Sequence, residues 1–163
     1  MYYTVYSAPV GEIYILEKDG FIVEVMFDDE PFMTKKQVAH LKKEDTSVLR
    51  EAKKQLHEYF HGHRKVFDLP LKQSGSSFQE QIWEALSAIP YGESRSYADI
   101  AEEIGNPKAV RAVGQANRRN ALPIFIPCHR VIGKDRSLTG YAGTKTDMKA
   151  VLLELEGIPF VKK

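Results

Sequence analysis

The sequence predicts an α/β (α+β) chain in two parts, a small antiparallel sheet followed by a helical half that contains a helix-turn-helix. Three observations carry this prediction. Residues 2–6, 11–17 and 21–27 are rich in β-formers and separated by short turn signals. Apolar residues then recur at helical spacing, first from Val48 and again from Phe78. Finally, Gly105-Asn106-Pro107 separates a short helical pattern from a basic one. A length of 163 residues accommodates either one ordinary domain or two small ones, and is enough to bury a core.

Each element has its own signal. Pro9-Val10-Gly11 and Lys18-Asp19-Gly20 break the first three runs, and the second is an Asp-Gly hairpin signal, so the runs form an antiparallel meander. Val48, Ala52, Leu56, Tyr59 and Phe60 define a helix ended by His61-Gly62-His63, whose histidines belong to a basic surface loop. Residues 65–71 are expected to add a strand, and residues 72–76 to link the halves, giving domains at 1–72 and 77–163. Ser77 with Glu80 is a capping-box signal for a helix whose stripe is Phe78, Ile82, Leu86 and Ile89 and whose end is Pro90-Tyr91-Gly92. Ser96 with Asp99 caps a helix over residues 97–104. Gly105 suits its left-handed end, Asn106 an N-cap and Pro107 the first position of a third helix.

Composition narrows the function. The single cysteine, Cys128, excludes an internal disulfide and places the chain in a reducing, cytoplasmic setting. No segment reads as a secretory leader or a membrane span. The formal net charge is only +1, but residues 104–136 hold Lys108, Arg111, Arg118, Arg119, Arg130, Lys134 and Arg136 against the single acid Asp135. Such local excess suits a polyanionic partner. In the third helix, Ala109, Ala112, Gly114 and Ala116 are small enough for close approach to a duplex, from which Arg111 would project; the same residues would also allow close helix packing.

Cys128 lies in Ile126-Pro127-Cys128-His129-Arg130-Val131. A thiol among apolar groups alone is inert, whereas an adjacent imidazole and guanidinium favour the thiolate, so Cys128 is a candidate nucleophile.

Taken together, Phe78 to Trp83, Tyr91-Gly92-Glu93, Ser96-Tyr97, Gly105-Asn106-Pro107-Lys108-Ala109, Arg111-Ala112-Val113-Gly114, Asn120 and the Cys128 segment resemble the O6-alkylguanine-DNA alkyltransferases. The resemblance covers about half of the chain, from Phe78 to Pro159, and the meander agrees with the family's ribonuclease-H-like N-terminal domain. It implies a monomer that binds double-stranded DNA containing O6-alkylguanine, flips the damaged base and moves its alkyl group irreversibly to Cys128, once per molecule and without a cofactor or metal. By position, His129 would be the base, acting through a water, Glu156 would orient the imidazole, Tyr97 would protonate the leaving guanine and Asn120 would hold the cysteine turn. Arg111 would fill the space left by the base, with Lys108, Ala109, Val110, Arg118 and Arg119 beside it on DNA. Val131, Pro123, Trp83, Tyr141 and Ala142 would wall or support the pocket.

Three other readings make different demands. A non-catalytic damage sensor would replace the nucleophile that Cys128 supplies. A helix-turn-helix regulator would carry long polar base readers where this chain has small residues. A cysteine hydrolase would join a cysteine and a histidine distant in sequence, not adjacent ones.

Overall fold

The structure is a computed structural model and describes residues 1–27, 37–138 and 146–161. The chain divides into two units, Met1–Gln73 and Ser74–Lys163.

In the first unit β1 (Tyr2–Ala8), β2 (Gly11–Lys18) and β3 (Phe21–Phe27) form the antiparallel meander, and β4 (Lys42–Lys43) adds to β1 in parallel, giving the order β3-β2-β1-β4. Asp19 and Gly20 both take positive φ, 53° and 84°, which is what a two-residue hairpin turn matched to strand twist requires. Both faces of β2 are covered. Tyr14 and Leu16 pack with Val38, while Ile13 and Ile15 are fully buried on the other face. Helix α1 (Ser47–Phe60) packs on β1, β2 and β3 and buries Leu49, Ala52, Leu56, Tyr59 and Phe60. Thr46 caps its first turn by accepting from Leu49 N.

Residues 65–71 do not form the expected strand. Among the described residues they pair with the sheet at an isolated bridge between Ile22 and Leu71, where Ile22 N donates to Pro70 O and Lys72 N to Ile22 O. Pro70 has no N–H to extend a ladder. Gln55 of α1 also satisfies Asp68 directly, accepting from its N–H at 2.9 Å and donating to its carbonyl at 3.0 Å.

The second unit runs α2 (Ser77–Ser87), β5 (Arg95–Ser96), α3 (Tyr97–Glu103), α4 (Val110–Arg118), a 3-10 turn (Cys128–Arg130), β6 (Val131–Ile132) and α5 (Thr146–Glu156). β5 and β6 pair in parallel. The capping box of α2 uses Ser76 and Gln79, one residue before the expected pair, whereas α3 is capped by Ser96 and Asp99 as the sequence signals. Gly105 ends α3 at φ 78°. Helix α4 starts at Val110 and not at Pro107, because Ala109 N donates to Asn106 O and closes a separate turn first. Packing among α2, α3 and α4 gives the helix-turn-helix its support, and Trp83 Nε1 ties α2 to the end of α4 through Ala116 O at 3.0 Å.

Candidate active site

The chain approaches Cys128 through a loop whose backbone is held by amides. Asn120 Nδ2 donates to Ile126 O at 2.9 Å, its Oδ1 accepts from Leu122 N at 3.0 Å, and Ile126 N closes onto Leu122 O at 2.8 Å. Asn117, in the last turn of α4, donates to Cys128 O at 3.4 Å. Between them Ile124, fully packed at 2 % exposure, takes φ 73°, a left-handed conformation that a β-branched side chain rarely adopts. Cys128 then opens the 3-10 turn that leads into β6.

The turn brings both His129 and Arg130 to the carboxylate of Glu156. Arg130 does not face the sulfur. Its Nε and Nη2 donate to the two oxygens of Glu156 at 2.8 and 3.2 Å, and its Nη1 donates to Ile89 O at 2.7 Å. The expectation that this guanidinium holds the thiolate is therefore corrected; it neutralises Glu156. His129 lies on the other side of the same carboxylate, with Nε2 2.6 Å from Oε2. A carboxylate only accepts, so Nε2 carries the proton and Nδ1 the basic lone pair. Glu156 also accepts from Gly92 N at 3.2 Å.

Burial dominates the electrostatics. It lowers the pKa of His129 despite the opposing carboxylate, so the imidazole is neutral at neutral pH. Burial also pushes the Cys128 thiol up to about 11. Hydrogen bonding from Asn120, the charge of Lys149 and the backbone N–H groups of Cys128 and His129 act the other way and favour the anion.

Lys149 is the residue that sequence reasoning missed. It is fully buried, its Nζ donates to Val131 O at 2.5 Å, and it stands 6.0 Å from the centre of the Tyr97 ring. A signal existed. Lys149, Leu152, Leu153 and Glu156 fall at i, i+3, i+4 and i+7, so two charged residues share the apolar stripe of α5, and all four are buried.

The remaining predicted residues fall into distinct places. Tyr97 is half-buried at the start of α3, and a Cβ at Gly114 of α4 would rest against its ring at 3.9 Å, an ordinary contact distance. Val131 and Pro123 are buried beside the cysteine turn, and Trp83 supports α4. Arg111, Gln115 and Arg118 share one exposed face of α4, with Lys108, Val110 and Arg119 also exposed and Ala109 half-buried. That face borders a groove of about 610 Å³ lined by Ser76, Phe78 and Gln79 of the α2 start and by Gln115, Arg118 and Arg119. Tyr141 and Ala142 lie outside the described residues. Among the described residues, no group of three His, Cys, Asp or Glu side chains could hold a metal, and no helix is long and apolar enough to cross a membrane.

A lone cysteine beside a buried His-Glu pair, behind a basic helix-turn-helix, defines a nucleophilic group-transfer protein with a surface for a polyanion. The comparisons narrow the class. Residues 77–158 match the 6-O-methylguanine DNA methyltransferase, DNA binding domain, and residues 1–73 match the ribonuclease-like domain of the same family. The chain is 55 % identical over 163 residues to the constitutive methylated-DNA–protein-cysteine methyltransferase of Bacillus subtilis, covering 99 % of each chain. It is 46 % identical to the methylated-DNA–protein-cysteine methyltransferase of Methanosarcina acetivorans, covering 96 % of this chain and 99 % of that one. The crystal structure of Mycobacterium tuberculosis OGT in complex with DNA superposes with a TM-score of 0.85 at 38 % identity, covering 96 % of this chain and 92 % of that one. The chain belongs to the 6-O-methylguanine DNA methyltransferase family, whose work is direct-reversal DNA repair by alkyl transfer to a protein cysteine.

Proposed function

We propose that Cys128 is the alkyl acceptor, and that the substrate is double-stranded DNA containing O6-alkylguanine. The observation that carries this reading is the chain's single cysteine, 2 % exposed, next to a histidine hydrogen-bonded to Glu156. Attack on a saturated carbon needs a soft nucleophile, and sulfur is the softest available. His129 accepts the thiol proton at Nδ1 while Glu156 fixes its tautomer. The sulfur–carbon bond forms as the carbon–O6 bond breaks, and the electron pair stays on guanine, which takes a proton from Tyr97. The phenol is then restored by the proton held on His129, so the balance is a thiol and an alkylguanine giving a thioether and guanine. Nothing in that balance regenerates the thiol, and each molecule acts once.

The target base must leave the stack to reach a buried sulfur, at a cost of a few kcal/mol. Arg111, exposed on α4, fills the space it vacates, and Arg118 and Arg119 face the DNA backbone across the groove beside α2. Residues 77–163 hold this machinery, and residues 1–72 form a separate sheet domain. The protein acts as a cytoplasmic monomer without a cofactor.

Intact-mass measurement after incubation with a duplex containing O6-methylguanine tests the reading. The expected result is a gain of one methyl group mapped to Cys128, and none in Cys128→Ser, which retains binding to the lesion. Methyl transfer by the serine variant at a comparable rate would overturn the assignment.

A further inference from the structure

The end of α1 and its C-cap residue carry the segment His57-Glu58-Tyr59-Phe60-His61, two histidines four residues apart with a glutamate after the first. That spacing puts two imidazoles on one face of a helix, an arrangement by which proteins hold transition metals. Here the rings do meet. Both are exposed, their centres stand 4.1 Å apart and their planes are tilted by 36°. Two nitrogens bound at about 2.0 Å to one tetrahedral ion lie about 3.3 Å apart, so rings this close need only a small rotation to share it. We propose that His57 and His61 form a two-histidine site for a divalent late transition-metal ion such as zinc, with water completing the coordination. Its formation does not depend on the role of Cys128.

The helix end prepares the pair for an ion. His57 O accepts from His61 N at 3.1 Å and from His61 Nδ1 at 2.7 Å. A carbonyl only accepts, so Nδ1 carries the ring proton and Nε2 keeps the lone pair that a metal takes. Ligating histidines are commonly oriented by such a hydrogen bond on the other nitrogen. The carbonyl end of a 14-residue helix also favours a cation beside it. Two nearby cations are already compensated, Lys53 by Asp45 and Arg64 by Glu58. The same contacts separate the site from that of a zinc hydrolase, which needs a glutamate base and a third protein ligand. Glu58 accepts from Arg64 Nε at 2.8 Å, and among the described residues neither His63 nor any other ligand joins the two histidines. The pair binds an ion and lacks the parts to use it as a catalyst.

Zinc chloride titrated into the full chain, followed through the histidine ring protons by NMR, tests this. The chain has five histidines. The lines of His57 and His61 should move together and saturate with a single ion, while those of His40, His63 and His129 do not follow them. His57→Gln and His61→Gln should each weaken zinc binding by about tenfold or more, because the remaining imidazole loses its intramolecular partner. His63→Gln and Cys128→Ser should bind zinc as the wild type does, which excludes the loop histidine and the thiol as the ligands. Should a glutamine variant fail to fold, the wild-type titration decides alone. Separate midpoints for the His57 and His61 lines, undiminished binding in either glutamine variant, or loss of binding in Cys128→Ser overturns the proposal.

Discussion

The two units differ in whether they bury ion pairs, although the second also carries an exposed one between Arg95 and Glu93. The described ion pairs of Met1–Gln73, which join Lys42 to Glu44, Lys53 to Asp45 and Arg64 to Glu58, all lie at the surface. In Ser74–Lys163 the Arg130–Glu156 pair and the His129–Glu156 contact are buried, with Glu156 and His129 side chains at 0 % exposure. Exposed pairs add little to stability because water and salt screen them. Buried ones require desolvation of both ions and bring no sure gain over apolar residues of the same volume. The first unit is thus held by its sheet and by α1, whereas the second maintains an ionic interior that stability alone does not call for. The difference locates the chemistry.

Removing Glu156 should produce the largest change in this comparison. Glu156→Ala leaves Arg130 as an uncompensated buried cation and is expected to destabilise the second unit by about 3–5 kcal/mol. Denaturant unfolding of wild type and variant measures this, and a change below 1 kcal/mol would show that the interior pair is as dispensable as a surface one.

Acid should produce a smaller and graded loss in the same unit. His129 is buried neutral, with its folded pKa below the ordinary value of 6.5. Below 6.5 the unfolded chain therefore binds a proton that the folded chain does not, and stability falls as pH drops through that point. A His129→Gln variant should lose less stability than the wild type between pH 6.5 and 5 in thermal melts; equal losses would assign the acid response elsewhere.

The smallest effect belongs to the first unit. Thr46 accepts from Leu49 N and donates to Glu17, a carboxylate only 6 % exposed. Thr46→Ala should cost about 1–2 kcal/mol, the usual penalty for losing a cap, while leaving the single-turnover transfer rate unchanged. A fall in that rate would show that the sheet domain reaches into the chemistry.

What the sequence revealed follows the range of the forces involved. The hairpin at Asp19-Gly20, the cap at Ser96 and the end of α3 at Gly105 are decided by residues a few positions apart, and they are legible. The start of α4 was misread because Pro107 suits both a first helical position and the preceding turn, and the Asn106–Ala109 hydrogen bond selects the turn. Residues 65–71 were misread because Gln55, more than ten positions away, satisfies the backbone that a strand would have used. In the site, Cys128 announced itself through its neighbours. Arg130 misled for the same reason, since the 3-10 turn carries its guanidinium, with the ring of His129, to Glu156. Lys149 escaped notice because a lysine in a helix is ordinarily solvated, and only its alignment with Glu156 on an apolar stripe separates it from a surface residue.

The left-handed Ile124 bears on how this protein can change over evolutionary time. A glycine or asparagine there would relax the backbone, and random drift samples such relief readily. Yet the isoleucine is packed at 2 % exposure just ahead of the nucleophile, so the replacement that eases the turn also empties part of its support. Strain and packing at this position oppose each other, and a lineage cannot improve one without giving up the other. Variation in such a protein should therefore accumulate in the sheet domain and on the exposed faces of its helices, while the loop before the cysteine stays as it is.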